Sequence, residues 1–132
     1  MDLMDLKPKS DTVEVILRHP STDDILANQD GSEMTITLHA QHSAIYKQAM
    51  HEQQDRRIEK LQKKKNQKFS AADLERDVID LLCKCTAGWD ITFGGEQPKL
   101  SLVKAKEVYT ELWWIRDQLS EAWEESTDFT TA

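Results

Sequence analysis

The last third of the chain carries the strongest hydrophobic pattern. In Ser101–Glu125, at about 100° per residue, Ala105, Val108, Tyr109, Leu112, Ile115, Leu119, Ala122 and Trp123 fall on one broad helical face. Trp113 lies at the edge of that arc, while Trp114 and Val103 fall outside it among Glu107, Glu111, Gln118 and Glu121. Two arrangements follow. A continuous helix leaves Trp114 at the surface, where an unpaired aromatic suggests a partner face. A break near Thr110–Glu111 turns Trp114 inward.

Earlier in the chain the period changes to two. Thr12–Arg18, TVEVILR, is rich in β-branched residues and stopped by His19-Pro20, which predicts a strand. Met34–His39 alternates Met34, Ile36 and Leu38 with Thr35, Thr37 and His39, the pattern of a strand with one buried face. Ser21–Glu33 between them is turn chemistry, clearest at Asp30-Gly31. A two-stranded hairpin is marginal alone and must lean on helices.

Ser43 is a candidate N-cap for a helix over 44–65. Its apolar positions are sparse: Ile45, Tyr46, Ala49 and Met50, then only Ile58 and Leu61, with the polar run HEQQDRR between. The first turns are expected to pack, and the rest to project into solvent or against another subunit. Ser70-x-x-Asp73 resembles a capping box, and Leu74, Val78, Leu81, Leu82 and Cys85 follow at helical spacing until Gly88 stops the helix. Gly88–Leu100, with Trp89, Phe93, Gly94-Gly95 and Pro98, reads as a structured connector whose aromatics plug the core, and Ser101 caps the final helical region.

The predicted fold is α+β and mainly α-helical. An N-terminal β-hairpin (12–18 and 34–39) packs on three to four helices (44–65, 70–86 and 102–125, the last broken or not near 110). Residues 1–11 form a flexible arm and 126–132 a flexible tail. A length of 132 residues fits a single domain.

Charge narrows the partners. A net charge of −7 argues against general nucleic-acid binding, and no apolar run approaches the roughly 18 residues of a membrane span. MDLMDLKPKSD is not a signal peptide, so a cytosolic protein is expected. Positive charge is concentrated in Arg56–Lys68, where Arg56, Arg57, Lys60, Lys63, Lys64, Lys65 and Lys68 face a single Glu. That stretch suits nucleic acid, an acidic partner, or the acidic face of a second copy. It also suits a solvated helix end, where lysines complement the helix dipole. No aromatic or glycine is interleaved to stack bases or admit phosphates, which leaves nucleic acid the weaker reading.

The motifs of chemistry are missing. No elbow presents a serine for attack, and Gly94-Gly95 runs into Glu96 rather than a phosphate cradle. His39 and His42 have no nearby Cys, Asp or Glu to complete a metal set. Cys83 and Cys85 point to two faces of their helix, a poor arrangement for a shared disulfide or metal, and Cys85 fits the apolar face as a small buried hydrophobe. No enzyme, metal or cofactor is expected.

Several pieces together resemble the tail assembly chaperones of long-tailed bacteriophages. These are VILRHPST, DGSEMTITLHAQHS, CTAGWDITFGG and VYTELWWIRDQLSEAWEESTDF, in order along nearly the whole chain. In that family a strand closed by H-P leads through D-G-S to a second strand, a helix ends in G-W, and a late helix carries W-I-x-x-Q before a final (N/D)-F. Here those positions are His19-Pro20, Asp30-Gly31-Ser32, Gly88-Trp89, Trp114-Ile115 with Gln118, and Asp128-Phe129. The resemblance implies a chaperone that binds the long, largely helical tape measure protein, recruits tail tube protein, and self-associates into curved arrays. It also implies action in the host bacterial cytoplasm and absence from the mature virion. Trp113, Trp114, Gln118 and Phe129 are then the candidate partner-binding residues. Two other readings stay open: a nucleic-acid-associated phage protein using 56–68, and a tail completion or head–tail connector protein.

Overall fold

The computed structural model describes residues 2–6, 10–63 and 69–126. Its elements are β1 (Thr12–Ile16), β2 (Thr35–His39), α1 (Ala44–Lys63), α2 (Ala71–Cys85), β3 (Thr86–Asp90), α3 (Leu102–Glu111) and α4 (Trp113–Glu125), after a short 3-10 turn at Leu3–Leu6. The fold is α+β: a three-stranded antiparallel sheet, ordered β1-β2-β3, with four helices. Among the described residues, no helix is long and apolar enough to cross a membrane.

The predicted hairpin forms as its alternation requires. Val13 pairs opposite Leu38 and Val15 opposite Ile36, and Val15, Leu17, Ile36 and Leu38 are buried. The turn chemistry has definite partners. Asp30 Oδ1 accepts from the backbone N–H and the hydroxyl of Ser32, and Gly31 takes the left-handed φ of 87° that the turn needs. His19 Nδ1 accepts from the N–H groups of Ser21 and Thr22, so the histidine closes the turn after β1. Asn28, although polar, is buried. Its amide donates to Asp90 O and its carbonyl accepts from Thr92 Oγ1 at 2.6 Å, which ties this loop to the end of β3.

Three expectations need correction. Thr86–Asp90, expected as a helix end running into the connector at Gly88, is a third strand, with Trp89 opposite Ile36 and Gly88 opposite Thr37. Its partner strand lies some fifty residues away and its register is irregular at Thr37/Leu38, so local alternation could not reveal it. The polar middle of α1 does not project freely. Gln53 is buried and donates to Asp77 O at 2.7 Å, while Arg57 reaches Asp77 Oδ2 at 2.6 Å, docking α1 on α2 through fixed polar pairs. In α2 the buried positions are Ile79, Leu82, Cys83 and Cys85, whereas Leu74 and Val78 stay about half exposed. One flank of α2, at Asp77 and Asp80, is committed to α1, and Ile79 and Cys83 face toward α3; the buried arc is shifted accordingly.

The predicted caps are present: Ser43 Oγ accepts from Tyr46 N at the start of α1, Ser70 and Asp73 complete the capping box of α2, and Ser101 Oγ accepts from Lys104 N at the start of α3. The last helical region is two helices. Leu112 leaves the helical range at φ −110° and ψ 76°, although its N–H still reaches Val108 O. Arg116 Nη1 donates to Tyr109 O at 2.7 Å and Nη2 pairs with Glu75, so a cation caps the negative end of α3 across the break. Ala105, Val108, Tyr109, Ile115, Leu119 and Trp123 form the helical side of the core, packed on the sheet. Each such large side chain contributes about 1.5–3 kcal/mol by leaving water.

Candidate functional site

The break at Leu112 fixes the tryptophans. α3 buries Ala105, Val108 and Tyr109, α4 buries Ile115, Leu119 and Trp123, and Leu112 between them is non-helical. Trp113 turns outward and is 60% exposed. Trp114 is half-buried and packs against the core. Of the two adjacent tryptophans, Trp113 is therefore the exposed one and Trp114 the one held against the core. Trp123 Nε1 donates to His39 O at 3.0 Å and its ring meets Tyr46 edge-on at 5.1 Å, so it welds α4 to β2 and α1. Gln118 does not present its amide to a partner either: both polar atoms bind the backbone of Arg18. Phe129 lies outside the described residues.

The basic stretch is also largely used within the chain. Arg56 pairs with Asp80 at 3.3 Å, Arg57 with Asp77, and Lys63 with Glu59 at 3.0 Å. Arg57 and Lys60 both lie over the Phe69 ring, 5.7 Å from its centroid. An aromatic does meet these cations, one residue beyond the stretch, but it stacks on their own side chains. Lys64, Lys65 and Lys68 lie outside the described residues.

A site that periodicity did not single out lies between α2 and α3. An open groove of about 540 Å³ has Ile79 and Cys83 in its floor and Leu102 and Val103 on its lip. The floor residues are buried, while Leu102 and Val103 are 63% and 80% exposed. The available signal was the pair Leu102-Val103 itself, two apolar residues directly after the Ser101 cap, with Val103 outside the core arc. The acids on these walls are matched within the chain: Glu75 by Arg116, Asp77 by Arg57, and Asp80 by Arg56 and Lys84. Lys106 lines the same groove, is exposed, and makes no ion pair among the described residues.

The buried polar groups are structural in their connections. Tyr109 Oη lies 2.7 Å from Thr86 Oγ1, which donates to Leu82 O at 2.7 Å, so the phenol supplies the proton of the first bond. Burial raises the Tyr109 hydroxyl above its ordinary range. Burial likewise pushes the Cys83 and Cys85 thiols up to about 11, far from a reactive thiolate. His39 gives its carbonyl to Trp123, and His42 Nε2 faces Asp11 at 3.3 Å. Among the described residues, no group of three His, Cys, Asp or Glu side chains is placed to hold a metal ion. The exposed features are a tryptophan at a helix start and an apolar groove whose wall carries Lys106, unpaired among the described residues. No family model, no curated protein and no solved structure matches this chain.

Proposed function

We propose that this chain is a non-enzymatic assembly chaperone that binds a phage tape measure protein and promotes polymerisation of tail tube protein around it. It would act in the host cytoplasm, self-associate, and be absent from the finished virion. The observation that carries the reading is the set of large apolar side chains left at helix surfaces, Leu102, Val103 and Trp113 above all, in a chain with 31% charged residues. Such side chains suit transient cover by a partner that is itself apolar along one face. The resemblance of the H-P, D-G-S, G-W and W-I-x-x-Q positions supplies the identity of that partner. The test is co-expression with the tape measure protein encoded alongside this chain. The two are expected to co-purify, with the tape measure protein in the soluble fraction only when this chain is present; a tape measure protein equally soluble alone would sink the reading.

The nucleic-acid reading loses support because Arg56 and Arg57 are paired with Asp80 and Asp77. A gel-shift titration at low salt is expected to show no binding below the micromolar range. A connector protein would remain in the particle, so mass spectrometry of purified virions separates that reading from a chaperone.

A further inference from the structure

We infer that the groove between α2 and α3 is the seat of one amphipathic helix from a partner chain, with an apolar stripe and acidic flanks. The inference rests on the chaperone reading and adds to it the surface and the chemistry that surface selects.

Three features specify the occupant. The walls are two α-helices, so an added strand would find no sheet edge to pair with. What the walls present is side chains, and Ile79 and Cys83 below Leu102 and Val103 form an apolar trough open at the top. A volume of about 540 Å³ accepts one face of a single helix, read as anchors at i, i+4 and i+7, and not a folded domain. Finally, the rim carries both signs, but its unmatched charge is positive. Glu75, Asp77 and Asp80 are each matched within the chain, while Lys106 is unpaired among the described residues and Arg76 holds only Asp73, at 3.3 Å and 68% exposed. A helix with glutamates beside its apolar stripe meets these cations; one with lysines meets repulsion.

The test uses the full chain and two synthetic peptides with leucines at i, i+4 and i+7, one flanked by glutamates and one by lysines at the same positions. Fluorescence anisotropy at low salt is expected to show the glutamate peptide binding about tenfold more tightly. Lys106→Glu is expected to reverse the order, and Val103→Asp to weaken both peptides about tenfold, with thermal unfolding unchanged because both side chains are exposed. Equal binding of the two peptides, or full binding by Val103→Asp, overturns the inference. So does sedimentation showing a self-associated chain that Val103→Asp dissociates, since a second copy would then fill the groove. If wild type and Val103→Asp co-purify equally with the tape measure protein, the groove assignment fails while the chaperone reading stands. If wild type does not co-purify, the chaperone reading fails and the peptide result still decides the groove.

Discussion

The side-chain amide of Gln118 holds both backbone groups of Arg18: Oε1 accepts from the Arg18 N–H at 2.9 Å, and Nε2 donates to the Arg18 carbonyl at 2.7 Å. The two residues are 100 apart in sequence. Arg18 lies opposite Ile25, and the bonds of that pairing are made by its neighbours, His19 N to Asp24 O and Leu26 N to Leu17 O. Its own N–H and C=O therefore point the other way, toward α4. Gln118 there takes the place of a missing strand residue and closes the edge beyond β1.

Gln118→Ala should lower stability by about 1 kcal/mol, since Arg18 is exposed and water replaces part of what is lost. Gln118→Glu keeps an acceptor for the N–H but sets a carboxylate oxygen against the Arg18 carbonyl, and is expected to cost at least as much. Urea midpoints of the three proteins check this. An unchanged midpoint in Gln118→Ala would show that the pair carries no net stability.

That pair also marks the limit of what was legible in the sequence. Elements set by local chemistry were readable: the alternation of Met34–His39, the Ser70 and Ser101 caps, the turn at Asp30-Gly31. Elements set by distant partners were not. Gln118 looked free because its partner lies in another region of the chain, and Gln53 and Arg57 looked solvated because burial through specific polar bonds leaves no periodic trace. β3 needs β2 beside it. The break at Leu112 contains neither proline nor glycine, so periodicity left a continuous and a broken helix both open, and the broken one, which turns Trp114 inward, is the one that forms.

The buried chain from Tyr109 through Thr86 to the Leu82 carbonyl gives a second expectation. Tyr109→Phe removes one hydrogen bond and leaves Thr86 still bound to Leu82 O, at about 1 kcal/mol. Thr86→Val leaves the phenol buried without a partner and should cost more, about 1–3 kcal/mol. The double variant should be less destabilised than the sum of the two single changes. Additive losses in a double-mutant cycle would mean that the 2.7 Å contact is not an interacting pair.

Alkaline sensitivity follows from the same burial. Desolvation raises Cys83 and Cys85 from 9.0 to about 11, and raises Tyr109 above its ordinary value. These acids ionise in the unfolded chain before they do in the folded one, so the unfolded chain holds fewer protons at high pH. Their contribution is complete below about pH 9 and is lost between about 9 and 11 for the thiols. Each thiol adds up to about 1.4 kcal/mol per pH unit to the fall within that window. Urea midpoints should therefore drop between pH about 9 and about 11. Cys83→Ala and Cys85→Ala should flatten the drop; a slope unaffected by either change would place its origin elsewhere.

The adjacent tryptophans separate stability from association. Trp114 is half-buried against the core, so Trp114→Ala removes packing and should cost about 2–4 kcal/mol, slightly less than a fully buried aromatic. Trp113 is 60% exposed, so Trp113→Ala should change stability by no more than about 0.5 kcal/mol. The same exposure makes Trp113 the fluorophore most open to acrylamide. Quenching of the free protein should fall sharply in Trp113→Ala and little in Trp114→Ala. If Trp113 contacts the client, adding tape measure protein should protect the wild-type fluorescence and have little effect on the Trp113→Ala signal. Quenching that ignores the client in wild type would confine Trp113 to solvent and leave the groove between α2 and α3 as the surface to probe. A stable Trp114→Ala together with an unfolded Trp113→Ala would contradict the placement of Trp113 at the surface and Trp114 against the core.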